Sequence, residues 1–268
     1  MKNGVFIFAG LALAVSTVSA AFASSSEWVD SQGGRVRLVT TGEPDAQGRL
    51  HGALEIALKP GWKTYWRDPG DSGVPPQLDV SGSDNISDAQ LLFPAPKRHD
   101  DGYGQWAGYD QSVALPVVFT ITDPEDKVLI SADVFLGVCE TICIPVQARL
   151  TVDPASDPTN PVDADNVKAA LAALPSTANA DFGVTPLPGD HKTLRLEARV
   201  PGDSASADLF IAGGSEYMFG PPTREQTDGK LVFTVPIRER PKSTPLDGGL
   251  HYTLTSTAGA VAGLLPYP

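Results

Sequence analysis

The stretch Val128-Leu-Ile-Ser-Ala-Asp-Val-Phe-Leu136 decides how this chain is read. It is short and rich in β-branched and aromatic residues, so it reads as a strand. Working outward, Arg35-Val-Arg-Leu-Val-Thr40 alternates apolar and polar, as a half-buried strand does, and Leu50 to Leu58 alternates less cleanly. Val113 to Thr122 and Ala148 to Val152 complete a set of short strands between Trp28 and Val152. Turn signals separate them throughout: the 268 residues include 26 glycines and 24 prolines. That punctuation argues against long helices and for a β-sandwich.

Asp153 to Pro161 is rich in Pro, Asp, Ser and Thr and reads as a linker. Asp163 to Leu174 is Ala- and Leu-rich, with aspartates at its start and Pro175 at its end, the signature of one short helix. Strands return at Thr193 to Val200, Ala207 to Ile211, Lys230 to Ile237 and His251 to Ser256. The expected architecture is all-β: a sandwich over residues 24–152, a linker with a short helix over 153–184, and a second, smaller β-sandwich over 185–268.

The first 23 residues read as a targeting segment. Lys2 supplies a positive start, and Val5 to Val15 is apolar. Ala21-Phe22-Ala23 then offers small–x–small cleavage before Ser24, with Val18-Ser19-Ala20 as a second option. The apolar core is well short of the roughly 20 residues that span a bilayer, which favours cleavage over a membrane anchor. No later stretch is long enough to span, so no membrane insertion is expected after cleavage. The net charge of −12 and the lack of a Lys/Arg cluster argue against nucleic acid as a partner.

Directly after the deciding strand comes Gly137-Val-Cys139-Glu-Thr-Ile-Cys143-Ile-Pro145, which holds both cysteines of the chain. In an exported protein two close cysteines default to a disulfide. Along an extended strand they would lie about 13 Å apart, beyond the 4.4–6.8 Å that a disulfide bridges, so the chain must turn between them. Closing so small a ring constrains the unfolded chain by only about 2 kcal/mol. A staple would more usefully join distant strands. Short, exposed disulfides are the labile ones, so the pair reads as an exchange centre, with a structural disulfide as the alternative. A metal site would need further ligands, and His51, His99, His191 and His251 are scattered, so neither metal nor cofactor is expected. No Lys, Arg or His stands within the motif to lower a thiol pKa, and Glu140 opposes it. No Gly-x-Ser-x-Gly and no phosphate-cradling glycine loop is present.

Three ordered blocks carry a family resemblance. The cysteine segment resembles that of the amino-terminal periplasmic domain of DsbD-type thiol:disulfide interchange proteins, with the likeness strongest to the ScsB-like and stand-alone branch. Gly61-Trp-Lys-Thr-Tyr-Trp-Arg-Asp-Pro-Gly-Asp-Ser-Gly-Val-Pro-Pro76 is similar to the Trp/Gly/Pro signature of that domain. Phe93-Pro-Ala-Pro-Lys-Arg98, followed by Gly102-Tyr-Gly104 and Gly108-Tyr109, is similar to its aromatic-Pro-x-Pro segment. The resemblance implies an immunoglobulin-like sandwich that relays reducing equivalents in the periplasm, from a membrane electron-transporter protein to periplasmic thiol-disulfide proteins. It implies that Cys143 meets the partner and Cys139 resolves the mixed disulfide. It also implies a cap over the cysteines, with Asp101, Tyr103 and Gly104 as the cap or docking residues. Family members carry a second cap aromatic where this chain has Gly102, and the best-known ones space their cysteines more widely. The competing reading is a non-enzymatic β-sandwich that binds protein partners and carries a structural disulfide.

Overall fold

The computed structural model describes residues 24–70, 73–100, 102, 104–190, 192–214, 217–243, 245 and 248–268. The first half is a sandwich of two antiparallel sheets. Its strands are β1 (Val29–Ser31), β2 (Gly34–Thr40), β3 (Arg49–Leu58), β4 (Lys63–Gly70), β5 (Gln77–Asp79), β6 (Ile86–Leu91), β7 (Lys97–Asp100), β8 (Gln105–Tyr109), β9 (Val113–Ile121), β10 (Ile130–Cys139) and β11 (Cys143–Val152). One sheet runs β1-β2-β3-β9-β6, and the other runs β11-β10-β4-β8-β7 with β5 added against β10.

The alternation seen in the sequence is what closes this sandwich. Val36 and Leu38 of β2, Leu50, Leu54 and Ile56 of β3, and Leu115, Val117 and Phe119 of β9 point inward from the first sheet. They meet Ile130, Ala132, Val134, Leu136 and Val138 of β10 and Val146, Ala148, Leu150 and Val152 of β11, all from the second. Burying one Leu, Val or Phe side chain is worth roughly 1.5–3 kcal/mol. A one-residue slip of β10 would turn its own inward set, Ile130 to Val138, away from this core. Trp62 and Trp66 of the aromatic block are also buried in this core.

The expected helix is present as α1 (Pro161–Ala172). It starts two residues earlier than Asp163 because Asn160 caps it, accepting from the amides of Val162 and Asp163, while Pro161 fills a first-turn position that needs no amide donor. The helix is not loose within the linker. Val167 and Ala170 pack on Val39 and Ala53, on the outer face of the first sheet.

The second half is an antiparallel sandwich as well, apart from one short parallel edge. Its strands are β12 (Ser176–Thr177), β13 (Gly183–Asp190), β14 (Thr193–Arg199), β15 (Asp208–Ala212), β16 (Met218–Phe219), β17 (Thr223–Thr227), β18 (Lys230–Glu239), β19 (Leu250–Ser256) and β20 (Gly259–Leu265). They form the sheets β12-β20-β19-β15 and β13-β14-β18-β16, with β17 also paired to β18. Leu196, Leu209, Phe233, Val235, Leu250 and Leu254 make up the centre of a separate core. The two halves meet where Arg98 of β7 grips Asp208 of β15 with two nitrogens, at 3.0 and 3.1 Å, and donates to the Leu209 carbonyl at 2.7 Å. Phe210 completes the join, edge-on to Trp66 and under the Arg98 guanidinium.

Candidate functional site

Strands β10 and β11 pair without a break from Ile130↔Val152 to Cys139↔Cys143. Glu140, Thr141 and Ile142 make the turn, closed by the Glu140 amide on the Ile142 carbonyl. The turn puts the cysteines directly opposite one another, with Cα atoms 4.1 Å apart, and they form a disulfide. Register alone therefore brings together two residues that an extended strand would hold apart.

The two sulfurs live in different surroundings. Cys139 is 1% exposed, whereas Cys143 is on the surface. Beside Cys143, Ile142 stands 68% exposed at the tip of the hairpin, an apolar contact next to the accessible sulfur. Behind the disulfide lies Tyr65 of β4, itself 2% exposed. Its hydroxyl donates to Cys139 Sγ at 3.0 Å and lies 3.3 Å from Cys143 Sγ.

Tyr65 is held in place from several sides. Trp106 of β8 packs edge-on to it, with ring centres 5.7 Å apart. His99 of β7 stacks on Trp106 at 4.0 Å, and the Lys63 ammonium lies 4.5 Å from the centre of the same ring. Burial pushes the His99 pKa below its ordinary value, with Lys63 and Lys97 adding to the effect against Asp110. The Thr64 hydroxyl ties β4 to β10 through the Gly137 carbonyl at 2.9 Å.

Two glycines of the aromatic and Pro-rich blocks make room for this tyrosine. A Cβ at Gly73, where φ is +123°, would sit 2.5 Å from the Tyr65 ring. A Cβ at Gly108 would sit 2.3 Å from the Thr64 carbonyl oxygen and 2.9 Å from the Tyr65 Cα. Only glycine allows β8 and the segment after β4 to approach so closely.

Of the residues singled out in the sequence, Cys139 and Cys143 are brought together. Asp101 and Tyr103 lie outside the described residues. Gly104 sits in the loop that joins β7 to β8, and Trp106 follows two residues later. In that loop Gly102 takes a left-handed φ of +83°, and the Asp100 side chain accepts from its amide. Arg149 pairs with Asp133 across the β10–β11 ladder, and Arg98 is committed to Asp208, so neither stands beside a thiol. Arg67 and Asp68 form no ion pair with each other; the Arg67 guanidinium lies over Phe93 at 4.8 Å and Asp68 accepts from Gly70. Among the described residues no group of three or more metal-ligating side chains occurs.

In the sequence Tyr65 stands only as one aromatic of the Trp/Gly/Pro block, and its hydrogen bonds to sulfur were not foreseen. Nothing local in the sequence marks that hydroxyl. Its partner cysteines lie 74 and 78 positions away.

A family model for the amino-terminal part of the thiol:disulfide interchange protein DsbD matches residues 36–154. Residues 36–154 are a DsbD amino-terminal-type domain. The match spans β2 to β11 and so takes in both cysteines of the disulfide and the tyrosine behind it. Among solved structures, the N-terminal periplasmic domain of ScsB from Proteus mirabilis superposes with a TM-score of 0.72 at 22% identity. The alignment covers 91% of this chain and 99% of that one, so the fold it shares runs through both sandwiches. No curated protein matches the sequence. The chain thus carries a thiol–disulfide interchange domain of the DsbD type, all-β and immunoglobulin-like, followed by a second β region. Among the described residues no helix is long and apolar enough to cross a membrane.

Proposed function

We propose that this chain is an exported, periplasmic relay protein that passes reducing equivalents through Cys139 and Cys143 from a membrane electron-transporter protein to periplasmic protein disulfides. The observation that carries this reading is the asymmetry of the pair: one sulfur exposed, the other buried against a phenol.

Loading begins when a thiolate of the donor attacks Cys143 Sγ, the sulfur that can be reached. A donor–Cys143 disulfide forms, the Cys139–Cys143 bond breaks, and Cys139 leaves as a thiolate. The Tyr65 hydroxyl is in position to donate to that developing charge, and hydrogen bonds to ionised acceptors are the strong ones. A second donor thiolate then attacks the donor's own sulfur and frees Cys143. The pair has gained two electrons, and two protons from solvent complete the dithiol. Delivery reverses the order. The Cys143 thiolate attacks an acceptor disulfide, Cys139 attacks Cys143 Sγ, the disulfide re-forms and the acceptor leaves reduced. Burial of Cys139 keeps outside disulfides from competing for it. The cap role that the resemblance implies for Asp101, Tyr103 and Gly104 is part of this proposal: the cap yields when a partner docks.

The test is a titration of the pair against a dithiothreitol or glutathione series, with thiols trapped on the folded protein. The expected result is reversible reduction without unfolding, and accumulation of mixed disulfides on Cys143 in Cys139→Ser but none on Cys139 in Cys143→Ser. A bond that yields only when the protein unfolds would make it a staple and leave a partner-binding module.

A further inference from the structure

Ser24 is 1% exposed, although it stands at the start of the described chain. Its carbonyl accepts from the Thr40 amide at 2.8 Å and from the Thr40 hydroxyl at 3.0 Å. Ser25 bridges Val39, and the Ser26 amide donates to the Leu38 carbonyl. Residues 24–26 therefore lie as a short added strand along β2. The Ser24 hydroxyl then reaches across the fold to Asp163 in the first turn of α1, donating to Oδ2 at 2.7 Å across 139 positions of sequence.

Asp163 is 3% exposed. Among the described residues, its carboxylate has that hydroxyl as its one hydrogen-bond partner and no Lys, Arg or His within ion-pair distance. A carboxylate removed from water needs a counter-charge, and a neutral hydroxyl together with the partial charge of a helix end is a weak substitute. Among the described residues, the buried Asp163 carboxylate thus meets a hydroxyl and no cationic side chain.

Ser24 is also the residue that follows the small–x–small sequence Ala21-Phe22-Ala23. We infer that the leader is cut between Ala23 and Ser24, and that the new α-ammonium of Ser24 is the counter-charge of Asp163. In the cleavage step water is consumed and the Ala23–Ser24 amide bond breaks. The Ala23 carbonyl carbon takes the water oxygen and becomes a carboxylate. The Ser24 nitrogen, an uncharged amide before, becomes an ammonium. That nitrogen is three covalent bonds from the hydroxyl already seated on Asp163, so the charge arises inside the site rather than having to reach it. Cutting after Ala20 would leave the Ser24 nitrogen an uncharged amide and put the new ammonium three residues away along the chain. Processing in this way fastens the amino end to α1, and through Val167 and Ala170 fastens α1 to the first sandwich. The inference rests on the export reading proposed above but not on the redox role of the cysteines.

The test uses two chains released in vitro from a removable tag, one starting at Ser24 and one at Ala21, each with Asp163 and with Asp163→Asn. With Asp163 present, the Ser24 chain is expected to melt roughly 3–10 °C above the Ala21 chain. With Asp163→Asn the gap closes. No gap with Asp163, or the same gap in both backgrounds, overturns the pairing. A readout independent of whether Asp163→Asn folds is acylation of the α-amine in the native Asp163 chains, followed by mass spectrometry. The Ser24 amine is expected to label at least tenfold more slowly than the Ala21 amine, and equal rates overturn the inference. Finally, the intact mass of the chain recovered from the periplasm should begin at Ser24. A start at Ala21 sinks this inference alone, whereas an uncut leader sinks the export reading with it.

Discussion

The two sandwiches of this chain solve the same packing problem with different interiors. The second closes on an ordinary apolar core, with Tyr217 stacked on Phe219 and Tyr267 at one edge. The first has such a core too, but beside it lies a small separate cluster of Tyr65, Trp106 and Cys139. There a phenol faces sulfur, glycines replace side chains, and the indole Nε1 of Trp106 has no hydrogen-bond partner among the described residues. Buried polar atoms are costly to leave unpaired, so a core shaped for stability alone would not choose this arrangement. One sandwich is thus arranged around the Cys139–Cys143 disulfide, and the other supports it from the side through Arg98 and Asp208.

The harshest way to break the comparison is Gly108→Val. The added carbons would meet the backbone of Thr64 and Tyr65, which cannot swing aside as a side chain could. A loss of about 3 kcal/mol is expected, read as a lower Tm for the first sandwich while the β19–β20 amides of the second keep their hydrogen-exchange protection. Simultaneous loss of both would mean the halves fold as one unit.

Tyr65→Phe keeps the ring and removes the hydroxyl. About 1 kcal/mol of stability should go with the lost hydrogen bond. The larger effect falls on chemistry: without the hydroxyl donor the Cys139 thiolate is less stabilised, and resolution of a mixed disulfide should slow roughly threefold. Stopped-flow exchange of the reduced protein across a pH series checks both, and an unchanged profile would reduce Tyr65 to a packing residue.

Asp208→Asn weakens the clamp between the halves. Both partners are partly solvent-exposed, so the cost should stay near 1 kcal/mol. It should appear as faster proteolysis at the junction around β7, with the second sandwich intact.

The smallest expected effect is on pH. Burial holds the folded-state pKa of His99 below its ordinary value of 6.5, so the unfolded chain takes up that proton first. Stability contributed by neutral His99 is therefore complete above 6.5 and declines as pH falls from there towards the depressed folded value. A histidine NMR titration that places His99 at or above 6.5 would remove this contribution.

Much of the fold was legible because the side-chain period of a strand is local. Val128 to Leu136, Arg35 to Thr40 and Val113 to Thr122 each showed their buried face in the residues themselves. The short strands β5, β6, β7 and β8 were harder to see. Gln77–Asp79 and Lys97–Asp100 are short, with half-buried or exposed side chains, and β6 is shifted in register against β9, so neither composition nor period marks them. The helix was legible from its aspartates and its closing proline, but its start required noticing Asn160 before Pro161.

By itself the sequence determined that the chain is β-rich, that an apolar stretch from Val5 to Val15 lies before Ser24, and that its two cysteines are near enough in sequence to form a small ring. Each of these depends on neighbours along the chain. Only the tertiary structure decided which sulfur faces solvent, which phenol stands behind the pair, and which residues join distant parts of the fold. Tyr65 meets its sulfurs across more than 70 positions, Arg98 meets Asp208 across 110, and Ser24 meets Asp163 across 139. Such contacts follow from strand order, register and the docking of a helix on a sheet, quantities that belong to the packed chain and to no local stretch of it.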